Sequence, residues 1–283
     1  MKHINKPEWL KIKIGTNERY TETKRIVDTH HLYTICSSGK CPNLGECWGK
    51  GTATFMIGGN ICTRSCKFCN TQSGKPLPLD PEEPMRIADS IRLMKLNHAV
   101  ITSVDRDDLE DLGAAHWVKT IQAIRQQNPH ITLEILIPDF QGKPELIHKL
   151  TETHPDIISH NMETVRRLTP LIRSVATYER SLSVIQQIAH SGVTAKSGIM
   201  VGLGETPEEV AQTMDDLLQH GCRILTIGQY LQPTHKHYPV AEYVTPEQFA
   251  HYKAMGIHKG FATVESGPLV RSSYHAEKHL LHC

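Results

Sequence analysis

Short apolar runs alternate with stretches of helical periodicity along most of this chain. The runs Ala53–Gly59, Ala99–Val104, Ile131–Ile137, Ile157–Ser159, Ala195–Gly202, Arg223–Gly228 and Phe261–Val264 have the length of buried strands. Between them, apolar spacing predicts helices over Pro84–Leu96, His116–Gln127 (through Val118, Ile121 and Ile124), Pro144–Thr153, Tyr178–His190, Pro207–His220 and Thr245–Lys259. Thr206 followed by Pro207 is a cap with proline at the first helical position, and Gly221 ends that helix. A further helix is predicted over Thr23–Thr34, with Trp9 and Leu10 anchoring the chain ahead of it. Repeated strand–helix units imply a parallel sheet with right-handed crossovers, and six of them imply an α/β barrel, closed or partly closed. In such a barrel the functional groups collect at the C-terminal ends of the strands. The polar segments that follow strands here are the cysteine loop after Gly59, Thr102–Asp108, Asp139, Asn161 with Glu163, Glu205 and Gln229.

Composition narrows the class. The chain has 283 residues, 39% of them hydrophobic, with 31 basic and 30 acidic side chains and a formal net charge of +1. That balance gives no ground for a nucleic-acid or membrane surface. No apolar run approaches the roughly 18 residues of a membrane span. The first 27 residues are polar and mixed in charge, unlike a secretion signal or a transit peptide. The reading is a cytoplasmic protein, in which the 8 cysteines suit metal binding better than disulfides. Cys222 reads as buried filler and Cys283 as a terminal thiol. Most of the 18 histidines lack metal-ligand spacing, and His235 and His237, beside Pro233 and Pro239, read as loop residues.

Six cysteines fall between Cys36 and Cys69. Cys62, Cys66 and Cys69 stand at C-x3-C-x2-C, and three thiolates in eight residues can hold three corners of one iron–sulfur cube. The fourth iron is then left open to a substrate or cofactor. Zinc sites favour C-x2-C pairs and four closed ligands, which this triplet matches less well. Upstream, Cys36, Cys41 and Cys47 stand at C-x4-C-x5-C among Gly39, Pro42 and Gly45. That spacing can wrap a second cluster, again one protein ligand short.

The C-x3-C-x2-C triplet resembles that of the radical S-adenosylmethionine (SAM) enzymes, and the two triplets together resemble the lipoyl synthase family. So do Ala53–Ile57, Thr102–Leu109, His160–Val165, Gly198–Thr206, Gly228–Pro233 and the C-terminal Arg271-Ser272-Ser273-Tyr274. The resemblance implies a partial (β/α)6 TIM-like barrel of the radical SAM type over residues 53–264. An extension over 1–52 would carry the second-cluster cysteines, and another over 265–283 the R-S-S-Y motif. It implies two 4Fe–4S clusters and SAM as cofactors, with SAM chelating the open iron of the cluster on Cys62, Cys66 and Cys69. The activity implied is insertion of two sulfur atoms at carbons 6 and 8 of an octanoyl chain on a carrier lysine. Those carbons are unactivated, so the cofactor must supply a radical.

In the family the second cluster, on Cys36, Cys41 and Cys47, is the sulfur source, and its fourth ligand maps to Ser273, with Arg271 near it. Phe68 matches the aromatic near the adenine, and Thr102, Ser103, Asn161 and Glu163 match SAM-contacting positions. Asp105, Arg106 and Asp107 serve SAM or hold loops by salt bridges. Two positions depart from the family pattern: Asn60, where an acidic residue is common, and Asp111-Leu112-Gly113, where a double glycine is usual. The implied partners are an octanoylated lipoyl carrier domain (the E2 subunit of a 2-oxoacid dehydrogenase or a glycine-cleavage H protein), an electron donor such as ferredoxin or flavodoxin, and an iron–sulfur assembly or carrier protein. The competing readings are a biotin synthase-like sulfur-inserting enzyme, a non-catalytic iron–sulfur carrier and a structural zinc protein.

Overall fold

The structure, a computed structural model, describes residues 5–11, 17–274 and 276. Cys283 lies outside the described residues. The chain forms two compact units, one of Lys13–Ser65 and Asn70–Ile158, the other of Met1–Ile12, Cys66–Cys69 and Ser159–Cys283.

The first unit opens with α1 (Glu18–Thr29), capped where the Asn17 side chain accepts from the Tyr20 amide at 2.8 Å. Its buried Thr23, Ile26 and Val27 recur at i, i+3 and i+4. The predicted helix over Thr23–Thr34 is thus displaced toward the N-terminus. His31 takes φ +50°, which turns the chain, and Tyr33–Thr34 becomes strand β1, antiparallel to β2. The first cysteine segment, expected as loop, holds two short helices, α2 (Ile35–Ser38) and α3 (Leu44–Gly49). They are too short to leave a periodic signal. α1 props α3: Thr23 Oγ1 donates to the Trp48 carbonyl at 3.1 Å and the Tyr20 and Trp48 rings lie 5.6 Å apart.

Strand β2 (Thr54–Ile57) follows, then the two-residue strands β3 (Ile61–Cys62) and β4 (Gln72–Ser73), which pair with each other. Next come α4 (Glu83–Leu93), β5 (His98–Ser103), α5 (Ala114–Gln127), β6 (Thr132–Leu136) and α6 (Pro144–Thr151). β2, β5 and β6 are parallel neighbours, with Thr54 opposite Val100 and Val100 opposite Glu134. The apolar stripes Ile87–Ile91, Trp117–Ile121–Ile124 and Leu146–Ile147–Leu150 are buried. Each such side chain contributes about 1.5–3 kcal/mol by leaving water. β7 (Ile157–Ser159) lies where the chain passes from one unit to the other.

The second unit contains α7 (Thr169–Ile172), α8 (Tyr178–His190), β8 (Thr194–Val201), α9 (Pro207–Gln219), β9 (Ile224–Gln229), α10 (Pro246–Lys259) and β10 (Thr263–Gly267). β8, β9 and β10 are parallel in that order. Thr206 closes a capping box with Glu209 at the start of α9, as the Thr-Pro pair predicts. The last strand starts at Thr263, later than its apolar run. Phe261 still belongs to the end of α10, its amide bonding the Gly256 carbonyl at 3.2 Å. Of the proposed anchors, Leu10 is buried and Trp9 is 41% exposed. Cys222 is buried, as expected of filler.

Candidate active site

Cys62 ends β3 in the first unit. Its Sγ accepts from the amides of Arg64 and Asp105, both at 3.4 Å, and lies 3.7 Å from Asp105 Oδ2. Amide donors around a cluster thiolate are among the groups that set a cluster's potential. The loop after Cys62 is braced by Arg64, whose guanidinium uses all three nitrogens. Nε and Nη2 fork onto Asp107 at 2.7 and 2.8 Å, Nη2 reaches Asp139 at 2.7 Å, and Nη1 reaches Asp105 at 3.1 Å. Burial would lower the pKa of Arg64, but these carboxylates outweigh it and hold the group charged. Burial pushes the Asp105 carboxyl up to about 6, with Arg64 opposing. Asp107 is also pushed up by burial, yet Arg64 prevails and holds it below its ordinary value. Asp105 and Asp107 therefore hold a loop by salt bridges, while Arg106 forks onto Asp108 at 2.8 and 2.9 Å and donates to the Gly58 carbonyl at 3.2 Å.

Cys66 and Cys69 are held by the second unit. Cys66 Sγ lies 3.5 Å from Ser174 Oγ. The Lys67 amide donates to the Ile172 carbonyl at 2.8 Å, and the Tyr238 amide to the Lys67 carbonyl at 2.9 Å. His237 Nε2 is 3.0 Å from the Cys69 carbonyl and Nδ1 is 2.8 Å from Thr234 Oγ1. A carbonyl can only accept, so Nε2 carries the proton. His237 is thus no idle loop residue: it pins the third cysteine of the motif through its backbone. Phe68 is half-buried between the two pinned cysteines.

The upstream cysteines belong to the first unit. Cys36 is buried in α2, Cys41 lies in the turn, and Cys47 is in α3. Burial pushes Cys36 up to about 11 and Cys47 up to about 12, and the neighbouring thiols push further, Cys41 on Cys36 and both Cys36 and Cys41 on Cys47. A thiol whose ionisation is disfavoured by burial and by neighbouring thiols, as at Cys36 and Cys47, becomes a thiolate most readily when a positive group binds it. None of the seven described cysteines forms a disulfide. Among the described residues, no three His, Cys, Asp or Glu side chains are arranged as a metal site.

The positions matched to SAM differ in character. Thr102 is buried and its hydroxyl is spent on the Leu136 carbonyl at 3.1 Å. Ser103 Oγ and Asn161 Oδ1 are buried atoms without a hydrogen-bond partner among the described residues. Asn161 Nδ2 donates to Glu163 Oε1 at 3.2 Å and to Ser272 Oγ at 2.7 Å. Glu163 has φ +67° yet bridges β8, its amide on the Gly198 carbonyl at 3.0 Å. Burial raises its pKa, with Arg173 and the Asn161 amide opposing. In the second unit, the orphaned Asn161 Oδ1 beside the left-handed Glu163 is what a site for a polar ligand leaves when its backbone is built in advance.

Two polar positions read as site residues serve the scaffold. Glu205 accepts the amides of Gly202 and Leu203, and Gln229 donates to the carbonyls of Val201, Tyr230 and Glu242. Conversely, the sequence leaves only faint signals for Arg64 and His237. Their signals are an arginine inside the first cysteine interval facing the Asp-Arg-Asp-Asp run, and a histidine in the Pro-rich segment after β9.

The radical SAM superfamily profile matches residues 56–217. A lipoyl synthase of Phocaeicola vulgatus is 74% identical over 280 residues, covering 99% of each chain. That of Treponema denticola is 61% identical over 276 residues, covering 98% of this chain and 95% of its own. Among solved structures, SuiB of Streptococcus suis bound to S-adenosylmethionine superposes with TM-score 0.60 at 11% identity, over 80% of this chain and 55% of that one. Methylornithine synthase superposes with TM-score 0.55 at 12% identity, over 89% of this chain and 78% of that one. These structural likenesses carry the fold class, and the expected α/β partial barrel of the radical SAM type is borne out. The biotin synthase-like, electron-carrier and zinc readings fall away against identity of this level along the whole chain. The chain belongs to the lipoyl synthase family of radical SAM enzymes.

Proposed function

We propose that this enzyme inserts sulfur at carbons 6 and 8 of an octanoyl group on a lipoyl carrier, with one 4Fe–4S cluster held by Cys62, Cys66 and Cys69 and a second by Cys36, Cys41, Cys47 and Ser273. The observation that supports the second cluster is the placing of Cys36 in α2 and Cys47 in α3 of one unit, with Cys41 between them and each within electrostatic reach of another. When bound, the cofactors supply a 5′-deoxyadenosyl radical from SAM and sulfide from the second cluster. The protein's part is to hold and orient. Amides of Arg64 and Asp105 point at Cys62 Sγ, and His237 and Tyr238 fix the Cys66–Cys69 segment. Asn161 and Glu163 offer acceptors to SAM hydroxyls, and Phe68, Ser103 and Thr102 complete the set. Arg271 and Ser273 serve the second cluster from the C-terminal segment. The boundaries near 52 and 264 separate the segments that serve that cluster from the SAM-binding body.

The substrate carrier is an E2 lipoyl domain or a glycine-cleavage H protein, reduction comes from a ferredoxin or flavodoxin, and an iron–sulfur carrier rebuilds the second cluster. A cytoplasmic setting suits the thiol ligands. No helix among the described residues is long and apolar enough to cross a membrane. The test is a single turnover of reconstituted protein with SAM, reductant and an octanoylated carrier peptide. The expected result is a peptide heavier by two sulfurs, with 5′-deoxyadenosine released, and no sulfur gain in Cys36→Ala. Release of 5′-deoxyadenosine with an unmodified peptide overturns the substrate, and full sulfur gain in Cys36→Ala overturns the donor.

A further inference from the structure

The C-terminal segment lies on one face of β8, β9 and β10, and three glycines make room for it. Gly228 stands opposite Met200 on one side and Gly267 on the other. Gly198 is two residues before Met200 and so shares its face. A Cβ on Gly228 would sit 2.1 Å from the Val270 carbonyl oxygen and 3.3 Å from Arg271 Nη1. One on Gly267 would meet Val270 Cγ2 at 3.4 Å. One on Gly198 would meet Asn161 Oδ1 at 2.9 Å and Ser272 Oγ at 3.3 Å. None of the three has a positive φ, so their backbones suit any residue. At Gly228 close approach of another backbone, not conformation, is what calls for glycine; at Gly198 the crowding is by side chains, Thr226 Oγ1 nearest at 2.6 Å, and at Gly267 the contact is an ordinary one.

The occupant is also tied by hydrogen bonds. Val270 is buried, and its amide donates to the Gly267 carbonyl at 3.1 Å. Asn161 Nδ2 donates to Ser272 Oγ at 2.7 Å. The same amide nitrogen donates to Glu163 Oε1 at 3.2 Å. Ser272 itself is not a matched ligand position. It is the residue before Ser273, and fixing it restricts where Ser273 can go.

We propose that Gly228, with Gly198 and Gly267 bordering it, forms the seat of residues 270–272, that Asn161 latches the segment through Ser272, and that this seating positions Ser273. Asn161 is then a positioning residue shared between the SAM-binding carboxylate Glu163 and the C-terminal segment. The positioning part rests on Ser273 being a cluster ligand, and the seat itself does not.

Hydrogen exchange by mass spectrometry on the full-length, cluster-loaded protein tests the seat. Ser272→Ala and Asn161→Ala should each speed exchange of the amides of residues 271–274 by about tenfold, the equivalent of one lost hydrogen bond. The double variant should be no faster than Asn161→Ala alone, since the bond to Ser272 is already lost there. Gly228→Ala, whose Cβ meets backbone, should release the segment further, by about a hundredfold. Unchanged exchange in Ser272→Ala, or additive effects in the double variant, overturns the latch. Mössbauer spectra test positioning: Gly228→Ala should reproduce the change in the second cluster caused by Ser273→Ala. A parental spectrum in Gly228→Ala, with Ser273→Ala altered, overturns positioning. A parental spectrum in Ser273→Ala removes that ligand, and with it positioning, while the exchange data still decide the seat.

Discussion

Replacing Arg64 with methionine tests whether the radical SAM cysteine loop depends on a buried ion network. The substitution keeps an unbranched apolar side chain in a site where Arg64 is 6% exposed. It leaves three carboxylates facing each other. The Asp139 side chain is fully buried, so loss of its ion-pair partner costs about 3–5 kcal/mol. The Asp105 and Asp107 side chains are 24% and 22% exposed, so water reaches them and each adds about 1 kcal/mol or less. The sum, roughly 3–7 kcal/mol, is a large part of the 5–15 kcal/mol that folded domains command. Anaerobic urea titration followed by far-UV circular dichroism reads it. Arg64→Lys keeps the charge but not the fork and should cost about 1–3 kcal/mol. The diagnostic is the pair Arg64→Met with Asp139→Asn, which removes the most deeply buried charge and should recover about 2 kcal/mol or more. A cost below about 1 kcal/mol for Arg64→Met, or a double variant weaker than Arg64→Met alone, would refute the reasoning.

Three further outcomes follow from local geometry. Leu112→Gly relieves a left-handed φ of +53°, worth about 1–2 kcal/mol, but empties a site where the leucine is 6% exposed, which costs about 2–5 kcal/mol. A net loss in a urea melt is expected, and a gain would mean that strain outweighs burial there. Thr206→Ala opens the capping box of α9 and should cost about 1 kcal/mol, while Thr206→Ser stays near zero, both read by urea melts. Burial pushes Asp216 up, but hydrogen bonds from Gln212, Tyr178 and Arg166 outweigh it and hold the carboxyl below its ordinary 3.8. Its contribution is therefore complete above that value and is lost as pH falls through the lowered one. Tyr178→Phe should shrink this acid-side loss in melts taken between about pH 5 and pH 2.

Much of the fold could be read from period and punctuation. Runs such as Ala99–Val104 and the Thr206-Pro207 start of α9 need only neighbours in sequence, and both fall where expected. Errors came where a neighbour in space decided. Tyr33–Thr34 is strand because β2 offers an edge to pair with, and nothing local says so. β10 takes its register from β9, which carries it past the end of its apolar run to Gly267. The helices flanking Cys41 are a turn or two long, and their glycines and proline read as loop.

The same division explains which site residues were legible. The cysteine triplets announce themselves because thiols a few residues apart leave a motif in the sequence. The groups that hold those cysteines face no such limit. Arg64 reaches Asp139 across 75 positions, Asn161 reaches Ser272 across 111, and His237 reaches Cys69 across 168. No spacing rule relates them, so only the folded chain reveals the pairs. A variant at one of these holders keeps every cysteine and the R-S-S-Y segment, and still presents its ligands in the wrong place. The cysteine spacing is thus a short-range property of this chain, whereas the placing of those cysteines depends on contacts between residues far apart in sequence, such as His237 with Cys69.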